Sequence, residues 1–418
     1  MLAEQDFIQN VAELNEDMHR ESWYGTFFHA FVGDVTVIND PSGKPIPTPS
    51  GMPIERLTGF TEANSDNMLI PFEKDLIGPP VFGDTVAKGT GEDQDFRWLR
   101  SYINQTRKAV KAQSGKMSDF RARKLRLIEN AKPKLVKWWS KYLNQDIYRS
   151  FYEGIGSNIS GSKDYDALGV YRRYHPNIYV DDGGVLTVVG TEKQFTTAAQ
   201  LDTGVTAADT KMTVAIIRAL AVKCLQLKIE KIVAKTGDKT YSFWALVVHP
   251  NQLKSLKNDT DYEDAINSAF NAQKIDHPML NGAVCEIEGF AIFSDIVGIR
   301  GWDDATGRFY GDDDANPINS MFEPTTVTDN YCAIVFGNQA VGFGVVESLS
   351  FGDEVDDFAN VKEVAGIMIY GANRADFVTE ALAIETSGGM FYKDTTGGVV
   401  ADTACINDSS LILMTDEA

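Results

Sequence analysis

The sequence predicts an α+β protein with more than one domain, and three observations lead to that class. A long helical pattern fills the region from Ser118 to Gly156, apolar strand-like runs occur late in the chain, and the two kinds of element do not alternate regularly. The chain has 418 residues, 43% of them hydrophobic, which is enough for a sizeable core and two or three domains.

The first 60 residues predict an irregular N-terminal arm. An acidic helix is predicted from Ala3 to Arg20, and a group of aromatic residues follows between Trp23 and Phe31. The segment Asp40–Pro53 is rich in Pro, Gly and Ser, which is typical of a loop. Such an arm either packs on something outside its own domain or forms a strand pair capped by a long loop.

Residues 67–110 predict a long two-stranded excursion. Asn67–Leu76 has the pattern of one strand, Phe96–Val110 has the pattern of the returning strand, and glycines and prolines between them mark a loop tip. Because an isolated hairpin is only marginally stable in water, we expect this one to rest on a partner.

The long helix carries an apolar stripe on one face, at Ile128, Ala131, Leu135, Trp139, Tyr142, Ile147 and Phe151. Pro133 lies inside the pattern, so we expect a kink or a restart near Asn130. Gly154 and Gly156 are expected to end the helix. At about 1.5 Å per residue the rod is roughly 40–50 Å long.

The rest of the chain predicts shorter elements. In order they are a helix at Met212–Leu227, a strand at Phe243–Val248, helical pieces at Asn251–Leu256 and Tyr262–Ala272, a hairpin at Gly282–Asp295 turning at Glu288-Gly289, two strands within Tyr331–Ser350, a strand at Lys362–Tyr370, and weak strands at Gly389–Lys393 and Ser410–Met414.

Charge and cysteine usage limit the functions to consider. A net charge of −20 argues against a general nucleic-acid binder, which needs a basic surface, but suits a container whose wall does not adhere to nucleic acid, or simply a soluble protein. The four cysteines are far apart, which favours free thiols in a reducing compartment. The first residues lack the basic region and apolar core that are typical of a signal peptide, and no apolar run approaches the roughly 20 residues of a membrane span, so we expect no membrane partner.

Sequence motifs of catalysis, phosphate binding and zinc binding are absent, so we expect no enzyme activity, no catalytic residue and no cofactor. Asp312, Asp313 and Asp314 form the best metal candidate, because hard cations favour clustered carboxylates. Their spacing does not match the EF-hand pattern of a calcium-binding loop, and a solvated acidic loop is the simpler interpretation. A metal-dependent enzyme is therefore only a minor hypothesis.

One basic run contrasts with the acidic remainder, at Arg121, Arg123, Lys124, Arg126, Lys132, Lys134, Lys137 and Lys141. Three interpretations stay open. The run is a solvated helix face, a pairing surface for acidic loops of neighbouring subunits, or a phosphate contact with packaged nucleic acid.

Several motifs occur in a characteristic order. They are Gly83-Asp84 with Gly89 and Glu92, Ile103–Gln105 with Arg107–Val110, Gly115–Ser118, Trp138-Trp139, Asn144–Ile147, and later His249-Pro250, His277-Pro278 and Asn338-Gln339. Together they resemble the major capsid proteins of tailed bacteriophages, in particular the N4-like branch. The resemblance covers residues 83–351, with Asn144 and His277 in place of the usual Asp and Asn.

The resemblance implies the Hong Kong 97-type fold. Its segments would be an N-terminal arm (1–60), an extended E-loop hairpin region (61–117), a peripheral domain with the spine helix (118–202), an axial domain (203–345), return strands of the peripheral domain (346–385) and a C-terminal extension (386–418).

The resemblance also implies a major capsid protein that self-assembles as hexamers and pentamers into an icosahedral shell. The shell would enclose double-stranded DNA without sequence-specific binding, with a portal and decoration or scaffolding proteins as partners, in a virion assembled in the host cytoplasm. An encapsulin-like compartment is the alternative. The residues expected at intersubunit contacts are Lys88, Glu92, Asp93, Arg97, Arg100, Arg107, Lys108, Arg121 and Arg123.

Overall fold

A computed structural model describes most of the chain. The described residues are 25–39, 45–58, 67–73, 81–82, 96–111, 127–154, 156, 175, 177–182, 185–188, 211–236, 239–263, 278–280, 282–295, 302–303, 308–309, 330–356, 361–378 and 405–416.

Three α-helices lie in these ranges: α1 (Leu127–Glu153), α2 (Val214–Gln226) and α3 (Pro250–Lys257). The strands in chain order are β1 (Val32–Asp34), β2 (Thr36–Asn39), β3 (Pro45–Thr48), β4 (Ile54–Thr58), β5 (Asn67–Glu73), β6 (Phe96–Tyr102), β7 (Asn104–Lys111), β8 (Ile178–Asp182), β9 (Val185–Val188), β10 (Ile232–Thr236), β11 (Lys239–Val248), β12 (Cys285–Ile287), β13 (Phe290–Ser294), β14 (Trp302–Asp303), β15 (Arg308–Phe309), β16 (Asn330–Phe336), β17 (Val341–Asp356), β18 (Val361–Arg374), β19 (Phe377–Val378), β20 (Cys405–Ile406) and β21 (Ser410–Asp416). Short 3₁₀ helices cover Phe27–Phe31 and Pro278–Leu280.

The first large sheet has five strands in the order β1-β4-β17-β18-β7. Its centre is the antiparallel pair of the long strands β17 and β18, while β4 joins β17 in parallel and β7 joins β18 antiparallel. Within the described residues, β1 and β7 form the two edges of this sheet.

The second large sheet has eight strands, in the order β12-β13-β11-β16-β21-β8-β9 with β10 paired to β11. The C-terminal strand β21 lies inside this sheet, antiparallel to β16 and parallel to β8. Its strands come from three of the predicted segments, 118–202, 203–345 and 386–418. The strand order therefore does not follow the predicted domain boundaries, and those boundaries stay a prediction.

Helix α1 connects the cores of the two sheets. Toward its N-terminal half, the indole of Trp139 fills the space left by Gly366 of β18, where a Cβ atom would overlap the ring. Toward its C-terminal half, the ring of Phe151 packs 5.4 Å from that of Phe336 in the second sheet. The helix ends at Gly154, whose φ of 85° is a conformation that glycine adopts readily.

The predicted α+β class is confirmed, and so are most of the predicted elements in the described ranges. The structure contains the helices α1, α2 and α3, the tight hairpin of β12 and β13, and a C-terminal strand at β21. The long helix does not restart at Asn130, because α1 runs from Leu127 through Pro133 as one helix, and the alternative of a kink near Asn130 stays a prediction. The predicted strand at Gly389–Lys393 and most of the helical piece at Tyr262–Ala272 lie outside the described residues.

The predicted continuous returning strand is also wrong. The chain leaves β6 after Tyr102 and enters β7 at Asn104, so that β6 pairs with β5 but β7 pairs with β18. Gly371 permits this change of partner, because a Cβ atom there would overlap the carbonyl oxygen of Tyr102. Only β5 and β6 belong to the hairpin; β7 is an edge strand of the first sheet.

Free cysteines are confirmed at three of the four positions, with Cys224 and Cys332 buried and Cys285 half-buried. No helix among the described residues is long and apolar enough to cross a membrane.

Candidate intersubunit surfaces

The base of the β5–β6 hairpin packs against its own chain. A Cβ atom on Gly342 would lie 2.7 Å from the Leu99 side chain and 3.0 Å from the Ile70 side chain, so these two residues rest directly on the backbone of β17. Gly344 makes the same close approach to Met68. The expectation that this hairpin rests on a partner is therefore wrong for its base, which the first sheet of the same chain supports.

Arg97 of β6 connects the base of the hairpin to other segments of the chain, and we name its contacts the Arg97 joint. Its Nη1 donates to Asp408 Oδ2 at 2.8 Å, and its guanidinium lies 4.6 Å from the centre of the Phe377 ring. That ring in turn packs against Phe72 of β5, with 5.6 Å between the ring centres. The joint thus ties both hairpin strands to the C-terminal segment.

A cavity of about 180 Å³ lies at the Arg97 joint, between the hairpin base and the corner that links β16 to β17. Three buried polar atoms line it without a hydrogen-bond partner among the described residues: Arg97 Nε, Asn338 Oδ1 and Gln339 Nε2. A polar cavity of this size holds several water molecules, each of which needs two to four polar partners. The joint is therefore incompletely packed.

A second arginine lies in the interior, and we name its contacts the Arg374 joint. Arg374 is fully buried; its Nη2 donates to Asp376 Oδ2 at 2.6 Å and its Nη1 donates to the carbonyl oxygen of Phe151 at 2.6 Å. Asn407 Nδ2 donates to Asp376 Oδ1 at 2.7 Å. The joint connects the end of α1, the end of β18 and the start of the C-terminal strand.

His175 and Ser410 extend the Arg374 joint. His175 Nδ1 accepts from the backbone N–H of Asn177 at 3.0 Å, and its Nε2 lies 2.9 Å from Ser410 Oγ. The accepting Nδ1 makes Nε2 the protonated nitrogen of a neutral ring, so Nε2 donates to the hydroxyl. Burial, together with the nearby charge of Arg374, holds the pKa of His175 well below its usual value. Burial raises the pKa of Asp376, but the Arg374 guanidinium outweighs it and brings the net pKa below the usual value.

Strand β7, an edge of the first sheet among the described residues, carries basic side chains. Arg107 and Lys108 of β7 are both exposed, and the Lys108 ammonium lies 5.2 Å from the centre of the Trp138 ring on α1. Trp138 is half-buried and stacks on Tyr142 with 4.8 Å between ring centres. This edge combines cationic and aromatic side chains, which suits contact with another polypeptide.

Lys134, Lys137 and Lys141 of α1 are exposed, and we name them the lysine ridge. Their spacing of three and four residues places them on one helical face. The described part of the chain gives none of them an ion pair, so the ridge is an accessible strip of positive charge on a protein of net charge −20.

The tip region of the hairpin exposes apolar side chains. Phe82 is 77% exposed and its neighbour Val81 is 38% exposed. A large aromatic side chain in water forgoes about 1.5–3 kcal/mol of burial free energy. Adjacent exposed apolar residues are typical of a binding anchor.

The structure places the predicted contact residues in different situations. Arg97 is engaged within its own chain, Arg107 and Lys108 are exposed on β7, and Arg100 lies opposite Leu69 in the hairpin register. The others, Lys88, Glu92, Asp93, Arg121 and Arg123, lie outside the described residues. A role of any of them between subunits stays a prediction.

The metal candidates Asp312, Asp313 and Asp314 also lie outside the described residues. Within the described part of the chain, no group of three or more His, Cys, Asp or Glu side chains is placed to hold a metal ion.

Sequence reasoning missed the residues of the Arg374 joint. Arg374 and Asp376 follow a strongly apolar strand, and Asn407 precedes two serines in a segment with turn composition. A signal was present, because a charged pair that directly continues a buried strand indicates a buried ion pair. Nothing in the sequence indicated which segments the pair would join.

Comparison with known proteins identifies relatives at the level of family and fold. A family model described as "Phage capsid protein" matches residues 26–403. The capsid of Ralstonia phage GP4 superposes with a TM-score of 0.54 at 17% identity, over 94% of this chain and 91% of that one. The capsid of Cyanophage Pam1 gives 0.52 at 15% identity, over 94% and 92%. The head of Helicobacter pylori bacteriophage KHP40 gives 0.53 at 12% identity, over 94% and 92%. A search of curated proteins gives no match.

Proposed function

Because the chain belongs to the phage capsid protein family, we propose that its copies form the hexamers and pentamers of an icosahedral phage head that encloses double-stranded DNA. As a major capsid protein it is a structural component of the virion. The α+β fold that it shares with solved phage capsids supports the predicted Hong Kong 97-type shell architecture.

The β5–β6 hairpin is the observation that carries the assembly proposal. Its base packs on Gly342 and Gly344 of its own sheet, whereas Phe82 in the tip region stays 77% exposed. Because the base is already packed within its own chain, the exposed Phe82 side chain needs a second molecule to bury it. Each copy would lay its tip on a neighbour, and many such contacts repeated over a lattice would stabilise the shell.

Net charge supports the proposed content of the shell. At −20 per chain, a wall built from many copies repels the phosphates of packaged DNA and does not retain them by adhesion. Portal, decoration and scaffolding proteins, and assembly in the host cytoplasm, belong to the same proposal.

The assembly role is tested by expressing the full chain and a Phe82→Ser variant. We expect wild type to form closed shells in negative-stain images, and the variant to remain as small oligomers with an unchanged melting temperature. Val233→Ser on β10 is the matched control, because Val233 is also exposed, at 46%, but lies in the body. A wild-type chain that stays monomeric at high concentration, or a Phe82→Ser variant that assembles like wild type, would contradict the proposal. Protein cargo rather than DNA in native particles would favour an encapsulin-like compartment.

A further inference from the structure

We propose that the lysine ridge of one copy pairs with a group of carboxylates on a second copy, and that the second copy makes the same contact in return. This group, which we name the acidic end, consists of four residues at one end of β17 and β18: Asp353, Glu354, Asp356 and Glu363. The inference rests on the proposed function, because it adds a second contact between copies to that of the hairpin tip.

The ridge is a compact group of positive charges. Lys134 and Lys141 lie about 10 Å apart along α1, with Lys137 between them. Trp138 lies one helical turn after Lys134, and the Lys108 ammonium lies 5.2 Å from the centre of its ring, so a fourth cation borders the ridge. None of these lysines forms an ion pair with another described residue. The ridge and Lys108 are therefore available to a partner that carries negative charge.

The acidic end contains a pair of like charges. In the register of the antiparallel strands β17 and β18, Glu354 stands directly opposite Glu363. Like charges directly opposite each other destabilise a strand pair. Lys362 stands opposite Val355 and Lys111 stands opposite Glu363, but these two cations do not balance the four carboxylates. The acidic end thus retains a negative charge that cations from a partner would neutralise.

The ridge and the acidic end lie toward the same end of the molecule. Helix α1 runs in the same direction as β18, because Trp139 lies over Gly366 and a carbonyl near the end of the helix accepts from Arg374. Counted back from the contact of Trp139 with Gly366, Lys134 lies about 7–8 Å away along the helix. Glu363 lies about 10 Å away along the strand, counted in the same direction. The two features are therefore at about the same level.

The ridge lies on the side of α1 opposite the sheet of its own chain. At about 100° per residue, Lys137 and Lys141 lie about 160° around the helix from Trp139, and Lys134 lies about 140° from it. Trp139 is fully buried against Gly366 of that sheet, so the ridge faces solvent. A second copy related by a two-fold axis can place its acidic end on the ridge and receive the first copy's acidic end on its own ridge, because such a contact is reciprocal.

Phosphates of packaged DNA are the competing partner of the lysines. A phosphate contact would leave Glu354 opposite Glu363 without compensation, whereas a second copy supplies cations to both glutamates and carboxylates to the ridge. Charge also limits where copies can meet, because two chains of net charge −20 repel each other outside such complementary surfaces. The observations therefore favour a second copy.

Three charge-reversal variants of the full chain test the contact. The ridge variant carries Lys134→Glu, Lys137→Glu and Lys141→Glu. The end variant carries Glu354→Lys and Glu363→Lys. The control variant makes the charge change of the ridge variant at exposed lysines of β10 and α3, by Lys235→Glu, Lys254→Glu and Lys257→Glu. Circular dichroism and the melting temperature show whether each variant folds like wild type, and Lys137→Glu alone or Glu354→Lys alone replaces a variant that does not.

The first measurement is the yield of shells from each variant by itself. The ridge variant and the end variant should each give several-fold fewer shells than wild type and the control variant, because each places like charges on both sides of the contact. The yield is measured by sedimentation at low ionic strength, where exposed charges are least screened.

The second measurement separates a contact between copies from a contact within one chain. In an equimolar mixture, the negative ridge of the ridge variant meets the positive end of the end variant, and the two unchanged surfaces also meet. A labelled end variant should therefore bind the ridge variant several-fold better than it binds the control variant, as measured by sedimentation velocity. This pairing needs only two copies, so it is measurable even if wild type forms no shells, a result that would contradict the proposed function alone.

Either of two results would overturn the inference. An end variant that binds the ridge variant and the control variant equally would show that the ridge does not meet the acidic end of a second copy. A ridge variant that assembles like wild type, but no longer retains an added DNA duplex that wild type retains in a gel-shift assay, would assign the ridge to phosphates.

Discussion

The two arginine joints use neighbouring residues of the same two segments, yet they differ in burial and in hydrogen bonding. Asp376 accepts hydrogen bonds from Arg374 and Asn407 in the interior, while the next residues along the chain, Phe377 and Asp408, contact Arg97 near the surface. One pair of segments thus presents an inner and an outer face, and each face holds an arginine.

The Arg374 joint, which we call the inner joint, is buried, whereas the Arg97 joint, the outer joint, is partly exposed. Arg374 is 0% exposed and bonds both a carboxylate and a helix-terminal carbonyl, whereas the Arg97 side chain is 28% exposed, lines a cavity and has a buried Nε without a partner among the described residues. Removing the partner of a buried charge costs several kcal/mol of unfolding free energy, whereas removing the partner of a solvated charge costs about 1 kcal/mol or less. We infer that the inner joint holds the fold and that the outer joint lets the hairpin base adjust.

The largest difference is expected when each joint loses its carboxylate. Asp376→Asn leaves Arg374 as an unpaired buried cation, which should cost about 3–5 kcal/mol of unfolding free energy. Asp408→Asn is the matched control and should cost about 1 kcal/mol or less, because the Arg97 guanidinium remains partly solvated. Urea denaturation of both variants measures the two losses. Equal losses would show that the joints do not differ as described.

Lowering the pH should weaken the Arg374 joint but not the Arg97 joint, and this loss of unfolding free energy should be smaller than that of Asp376→Asn. The folded-state pKa of His175 is well below its usual value, so as pH falls below about 6.5 the unfolded chain binds a proton that the folded chain does not. Unfolding free energy should therefore fall as pH decreases from 7 to 5. His249, whose pKa burial lowers to about 4, acts in the same direction, and the lowered pKa of Asp376 adds a further loss below about pH 4.

Two substitutions test whether His175 is the source of this pH dependence. His175→Gln should reduce the slope of unfolding free energy against pH, while Arg97→Met should leave the slope unchanged, because arginine does not titrate in this range. A slope that His175→Gln leaves intact would exclude His175 as its source.

The sequence predicted the separate elements better than their assembly. The apolar stripe of α1 and the apolar runs on either side of Glu288-Gly289 are local patterns, and local patterns indicate local structure. The division of the returning strand at Ile103 depended on Gly371, which lies more than 260 residues away, and no local pattern reports that contact. The position of β21 in the middle of a sheet could not be predicted either, because its neighbouring strands are distant in the sequence.

The candidate surfaces also include features that the sequence predicted and features that it did not. The basic face of α1 could be predicted from the sequence, because lysine spacing on a helix is a local property. The Arg374 joint was not, because its partners Phe151, Asp376 and Asn407 lie on three separate segments. The family resemblance supplied the fold where the chemistry of single residues could not.

The smallest expected effect is that of removing the outer arginine itself. Arg97→Met keeps the length of the side chain but removes a partly exposed ion pair and the contact with Phe377, which together are worth about 1 kcal/mol. Arg218→Met is the control, because the Arg218–Glu288 pair is about half exposed on both sides and its loss should change stability by less than about 0.5 kcal/mol. Thermal unfolding of the two variants measures the difference. If Arg97→Met costs as much as Asp376→Asn, the outer joint is a structural lock like the inner one, and the hairpin base is fixed rather than adjustable.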